Sequence, residues 1–235
     1  MKIYTLLLTL LLAFGNTLTA QADDALERLR FAEMHYASPT DSLHNEKLYI
    51  AALEDVVNDP SLNENDKIRP QLLLENALKN RIGTLAADLE LTNTNGSTCR
   101  LHEMDSVLTL IFFNDPDCEA CHILKNRLDT TQVINNYIDS GLLKIVAIYP
   151  FDNQQLWCNT PYPSNMLNLW DENQAIDNDG LYDLPNIPIF YLLNRDKKVL
   201  MKNEASLNRV LRALDRIMIS SDRSTEGLIR LIYNQ

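Results

Sequence analysis

The chain has little glycine, a shortage of basic residues and no long apolar stretch beyond its first twenty positions. Six Gly and nine Pro in 235 residues exclude collagen-like and low-complexity classes. A hydrophobic fraction of 46% is too high for a disordered chain. Lys and Arg number 21 against 32 Asp and Glu, a formal charge of −11, and no basic run exists. A phosphate backbone needs Lys and Arg to displace its counterions, so the composition argues against nucleic acid as a partner. The same charge argues against docking on anionic lipid. No fixed-period repeat stands out. Spanning a bilayer takes ~20 apolar residues, and nothing after residue 20 comes near that. The length suits one large domain, or a medium domain with an appendage.

What is present begins with a leader. Residues 1–20, MKIYTLLLTLLLAFGNTLTA, carry one charge at Lys2, an apolar run from Leu6 to Phe14, a polar break and Thr19-Ala20. This is the charge, apolar core and small-residue order of a secretory signal. Cleavage is expected near Ala20, giving a periplasmic or secreted protein without a membrane span; an uncleaved anchor is the alternative. No Cys follows the apolar run, which excludes lipoprotein modification there. Export places Cys99, Cys118, Cys121 and Cys158 in an oxidising compartment, where disulfides persist. The chain is too large to need staples for its core, so the pair spaced C-x-x-C points to chemistry.

Residues 21–82 read as helical. Leu26, Leu29, Met34 and Tyr36 fall near helical spacing, and Pro39-Thr40-Asp41-Ser42 breaks the pattern and supplies N-cap candidates. A second amphipathic segment carries Leu48 to Val57. A third runs from about Asn63 to Asn80, with Pro70 placed near its start, where a missing N–H costs little. The pattern changes at Gly83. Ala86 to Leu91 and Ser97 to Leu101 are short extended runs around Thr94-Asn95-Gly96, a hairpin signal. The turn also explains the glycosylation sequon Asn95-Gly96-Ser97. Val107 to Phe113 is a continuous apolar run, as expected of a strand buried on both faces. Cys118 to about Tyr137 is helical with a break near Thr130. Leu142 to Tyr149 is a second buried strand, followed by a loop-rich stretch containing Trp157 and Trp170. Ile187 to Leu193 and Lys198 to Lys202 are strands around a tight turn, Ser206 to Ile219 is an amphipathic helix, and Glu226 to Tyr233 is a short helix. A strand–helix–strand crossover pairs in parallel and a tight turn pairs antiparallel, so the sheet is mixed, with helices on both faces.

The chemistry rests on the C-x-x-C between a buried strand and a helix. The first turn of a helix has unpartnered N–H groups and the positive end of the macrodipole. A sulfur there is stabilised as thiolate, which makes Cys118 the expected nucleophile. Cys121 lies one turn on and is the expected resolving thiol, displacing product from a mixed disulfide. Asn186-Ile187-Pro188-Ile189 puts a Pro at the first position of a strand, where the lost ladder donor is tolerated. A cis bond fits there, leaving backbone groups of Ile187 free to pair with an extended substrate.

These residues together resemble the thioredoxin superfamily, and more closely the secreted thioredoxin-like proteins of the TlpA/ResA type. The resemblance covers about residues 83–220. It is carried by RIGTLAADLEL, VLTLIFFNDPDCEAC, LLKIVAIYP and LYDLPNIPIFYLLNRDKKVLMKN. The helical arm with SPTDSLHNEKLYIAAL is similar to that of uncharacterised secreted thioredoxin-like proteins of anaerobic Gram-negative bacteria. The resemblance implies nucleophile Cys118, resolving Cys121 and cis-Pro188. The expected fold is α/β: a thioredoxin-like mixed sheet flanked by helices over 83–220, with an N-terminal α-helical region over 21–82 and a short helix or tail over 221–235. Two departures stand out. Asp117 replaces the family's usual Trp before the first Cys, and Leu124 stands where many members carry Glu, so the proton acceptor for Cys121 is unassigned. Asp115, Asp117 and Glu119 crowd carboxylates around one thiol. Like charge disfavours a thiolate, so Asp117 and Glu119 are expected to tune the couple toward the reducing side.

The resulting expectation is an exported thiol–disulfide oxidoreductase of reducing tendency. It acts on a disulfide-bearing protein substrate, draws on an unnamed thiol electron donor and needs no bound cofactor. The rival is a thioredoxin-like binding module with a structural Cys118–Cys121 disulfide. Cys118-Glu119-Ala120-Cys121-His122 also fits the c-type haem attachment motif, but the apolar strand before it belongs to a different architecture. His35, His44, His102 and His122 do not cluster at zinc spacing. A copper site with His122 as third ligand is a minor alternative to His122 as a helix-surface residue. Cys99 and Cys158 are candidates for a second disulfide, with two separate thiols as the alternative. Trp157, Trp170 and Tyr182 are placed at the rim of the thiol site or in ordinary core.

Overall fold

A computed structural model describes residues 24–38 and 41–218. The expected leader and the short helix expected over 226–233 lie outside the described residues. The chain divides into two compact units between Lys79 and Asn80.

The N-terminal unit contains helices over 24–35 (α1), Glu46–Asn58 (α2) and Glu64–Leu78 (α3). Ala25, Leu29, Leu53, Val56 and Leu62 form its small core, with Leu73 and Leu74 packed against them. Asn45 is the N-cap of α2, its side chain accepting from Leu48 N–H at 3.1 Å. The cap is therefore not in the Pro39–Ser42 break. Asp41 instead closes its own turn, accepting from Leu43 N–H at 2.8 Å. Asn63 caps α3 in the same way. Pro70 is a second correction. It lies in the interior of α3, beyond the first turn, where its missing N–H deletes an intrahelical hydrogen bond. The residue is nonetheless buried.

The second unit is built on a seven-stranded sheet in the order β2-β1-β5-β4-β3-β6-β7. Its strands are β1 (Glu90–Asn93), β2 (Thr98–Arg100), β3 (Leu108–Phe113), β4 (Leu143–Tyr149), β5 (Met166–Trp170), β6 (Ile189–Asn194) and β7 (Val199–Glu204). Every residue of β3 is buried, because it lies between β4 and β6 and both faces are covered. Leu108, Leu110 and Phe112 face one core, with α4 (Glu119–Thr130), α5 (Gln132–Asp139) and a helix over 207–218 (α8). Ile111 and Phe113 face the other, with α7 (Ala175–Asn178) and the Ala86–Leu91 segment. A further short helix, α6, spans Gln154–Asn159. The sheet is mixed: β3, β4 and β5 pair in parallel, and the remaining pairs are antiparallel.

The hairpin forms at Asn95-Gly96. Gly96 has φ +82°, which glycine adopts at little cost, and Asn93 Oδ1 accepts from the N–H groups of Asn95 and Ser97. The stretch expected to be loop-rich after β4 holds an additional strand, β5. It lies parallel to β4 and pairs with β1 on its other side, joining the hairpin to the sheet. Its pattern of Met, Leu, Asn, Leu and Trp, with Leu167 exposed, alternates too weakly to mark a strand. Tyr182 belongs to the core, 4% exposed against Phe113 and Tyr191. Its hydroxyl donates to Ala87 O at 2.7 Å.

Candidate functional site

The thiol pair lies where β3 ends and α4 begins. Asp115 to Asp117 make a tight turn, with Asp117 N–H donating to Asp115 Oδ1 at 3.0 Å and Cys118 N–H to Asp115 O at 3.1 Å. Cys118 is the N-cap of α4, and its Sγ accepts from Cys121 N–H at 3.3 Å. One of the unpartnered donors of the first helical turn is thus aimed at the sulfur. Cys118 is half-buried, whereas Cys121 is 3% exposed. The two sulfurs, expected as nucleophile and resolving thiol, therefore differ in their access to solvent.

Burial pushes the Cys121 thiol up to about 12. The Cys118 sulfur and the Asp115 charge add to the rise, while an N–H from Asp115, 3.4 Å from Cys121 Sγ, works against it. Asp115 is the carboxylate whose charge acts on this thiol. Asp117 and Glu119, the expected tuning residues, stand exposed, where solvent screens them.

The Ile187–Pro188 bond is cis and leads into β6. Cys118 Sγ lies 3.9 Å from Ile187 O, a weak S–H···O contact. Ile187 and Pro188 are partly exposed, and among the described residues no hydrogen bond uses Ile187 N–H. The backbone beside the thiols is open to an extended partner.

Three residues missed in the sequence complete the surroundings. Asn114 is 2% exposed. Its Nδ2 donates to Phe112 O at 3.0 Å and Ile148 O at 3.2 Å, and its Oδ1 accepts from Tyr162 O–H. Burial raises the Tyr162 hydroxyl's pKa, and the Cys121 and Asp115 charges add to it. Lys125 is buried, donates from Nζ to Pro161 O at 3.1 Å and sits 4.4 Å from the centre of the Tyr162 ring. The i to i+4 spacing of Cys121 and Lys125 was a legible signal, since it puts both on one helix face. Nothing local marks Asn114 or Tyr162.

Cys99, on β2, and Cys158, on α6, are both free thiols. Cys99 packs partly against the core on the Ile111 face, and Cys158 is exposed. Trp157 and Trp170 pack with Tyr149 in a cluster of their own. His122 is exposed on α4. Among the described residues no group of three or more His, Cys, Asp or Glu is arranged to hold a metal ion, and no helix is long and apolar enough to cross a membrane.

A thioredoxin-like protein from Bacteroides caccae ATCC 43185 is 32% identical to this chain, over 81% of this chain and 68% of that one, with a TM-score of 0.72. The chain belongs to the thioredoxin-like proteins. The C-terminal domain of an uncharacterized protein from Bacteroides fragilis NCTC 9343 is 33% identical, with a TM-score of 0.56, and covers 58% of this chain and 98% of its own. A conserved protein of unknown function from Bacteroides fragilis is 27% identical, with a TM-score of 0.55, over 57% and 98%. No family model and no curated protein matches.

Proposed function

We propose that this thioredoxin-like chain is an exported thiol–disulfide oxidoreductase that reduces protein disulfides through Cys118 and Cys121. The observation that carries the reading is the unequal pair. One sulfur is half-exposed at a helix N-terminus beside the open backbone of Ile187, and its neighbour is buried one turn on. Cys118 thiolate attacks one substrate sulfur. The substrate S–S bond breaks, its other sulfur leaves and takes a proton, and a mixed disulfide forms. Cys121 then displaces the remaining substrate sulfur, closing the Cys118–Cys121 bond. Two electrons pass from dithiol to substrate, and an external thiol donor restores the dithiol. Ile187 and Pro188 hold the substrate as an extended strand. The Asp115 carboxylate disfavours the Cys121 thiolate, which favours the reducing direction. The leader-like residues 1–20 support export.

Reduction of insulin disulfides with a small dithiol as donor tests the reading, with Cys118→Ser as control. Activity is expected in the wild type and absent in the variant; equal activity in both rejects Cys118 as nucleophile. Equilibration with glutathione tests direction. A reducing couple stays disulfide-bonded in a mixed glutathione buffer, and a pair fully reduced there refutes the reductase assignment.

A further inference from the structure

Resolving a mixed disulfide at this site requires a proton to leave a sulfur that holds it tightly. The attacking species is the thiolate. Burial, the Cys118 sulfur and the Asp115 carboxylate all keep Cys121 protonated, and a single backbone N–H from Asp115 opposes them. The groups around that sulfur are Cys118 and Lys125 on α4, Asp115 after β3, Tyr162 between α6 and β5, and, acting on Tyr162, Tyr149 at the end of β4. Lys125 is the one cation among them.

Its placement is specific. Lys125 follows Cys121 by one helical turn, and both are buried, so the two side chains leave α4 on the same inward face. The ammonium is clamped between Pro161 O and the Tyr162 ring, and Tyr162 is anchored through Asn114 to Phe112 O and Ile148 O. An ammonium has three N–H donors and no acceptor. Among the described residues Pro161 O accepts one of them, and no carboxylate pairs with the charge. The Cys121 thiolate is the one anion that acts on it. A buried cation without a counter-ion is costly to keep and needs a reason.

Resting on the dithiol reading above, we propose that Lys125 is the positioning residue of the resolving step. Its clamped ammonium supplies the positive charge against which Cys121 ionises. In the mixed disulfide the Cys121 S–H gives its proton to water. The sulfur attacks Cys118, the Cys118–Cys121 bond forms and the Cys118–substrate bond breaks. The substrate sulfur leaves as thiolate and takes a proton from water. Burial lowers the Lys125 pKa, and it is the charged form that serves the step; Lys125 itself gives up no proton in it, and the sum is one substrate disulfide reduced by the two electrons and two protons of the dithiol.

The test is a stopped-flow reaction of the reduced full chain, carrying C99S and C158S so that only the pair reacts, with one equivalent of dithiobis(nitrobenzoate). Attack by Cys118 releases one coloured thiolate, and resolution by Cys121 releases the second. Lys125→Met should leave the first phase intact and slow the second by about tenfold at neutral pH, the equivalent of one pKa unit. It should also move the pH midpoint of the second phase upward, and Lys125→Arg should restore both. A second phase with an unchanged pH midpoint in Lys125→Met overturns the proposal while leaving the dithiol reading intact, even if the variant is less stable. A wild-type chain that never releases the second thiolate overturns the dithiol reading itself.

Discussion

Removing the Asn114 amide should loosen the floor of the thiol site by an amount that can be worked out in advance. Asn114→Ala deletes three hydrogen bonds, to Phe112 O, Ile148 O and Tyr162 O–H, each worth about 1 kcal/mol net. Ile148 O keeps a donor in the backbone N–H of residue 114, at 3.0 Å, so that loss is partial. The Tyr162 hydroxyl, by contrast, is left buried without its acceptor, which adds about 1 kcal/mol or more. The expected total is about 3 kcal/mol. Tyr162→Phe loses one bond and leaves Asn114 Oδ1 bare, at about 1–2 kcal/mol. In the double variant the shared bond is lost only once and the orphaned hydroxyl no longer exists, so its cost should fall short of the sum by about 2 kcal/mol. Both tryptophans of the chain lie in the C-terminal unit, buried with ring centres 5.5 Å apart. Urea unfolding of the reduced protein followed by their fluorescence therefore reports this unit. With a slope of about 2 kcal/mol per molar urea, Asn114→Ala should lower the midpoint by about 1.5 M. Additivity of the two substitutions within about 0.3 kcal/mol would refute the hydrogen-bonded bracket.

Two further outcomes follow from buried groups. Because burial raises the Cys121 thiol from 9.0 to about 12, the folded chain holds this proton more tightly than the unfolded one. The resulting stability is complete below the unfolded value and is lost as pH rises toward the folded one. The difference in Tm between the reduced wild type and Cys121→Ala should therefore fall steadily between pH ~8 and ~11; a constant or growing difference contradicts the burial argument. Lys197 is 4% exposed, and its Nζ donates to Met104 O at 2.7 Å, Thr109 Oγ1 at 3.2 Å and Ser106 Oγ at 3.3 Å. Lys197→Met should cost about 2 kcal/mol in the same urea assay. Lys197→Gly eases the φ of +58° at this turn but loses the tether, so a glycine variant as stable as the wild type would show the tether to be unimportant.

What the amino-acid order by itself determined was local. Alternation around Asn95-Gly96 specified a hairpin, the unbroken apolar run to Phe113 specified a strand covered on both faces, and the Cys pair at the following helix start specified where a sulfur meets free N–H groups. Each of these depends on neighbours a few positions away, and each is found in the fold. The helical arm shows the limit of local reasoning even at short range. Asn45 rather than the Pro39–Ser42 break caps α2, and Pro70 is inside α3, because tertiary packing outweighs the cost of one missing hydrogen bond. Strand β5 was not legible, since its residues become a strand only when β4 and β1 supply partners on both edges. The surroundings of Cys121 were decided in the same way. Asn114, Lys125 and Tyr162 come from the end of β3, the middle of α4 and the loop before β5, with 48 positions between the first and last. Only the order of strands in the sheet brings them to one sulfur. Burial follows from that order, and burial raises the thiol and phenol and lowers the lysine ammonium in their pKa values.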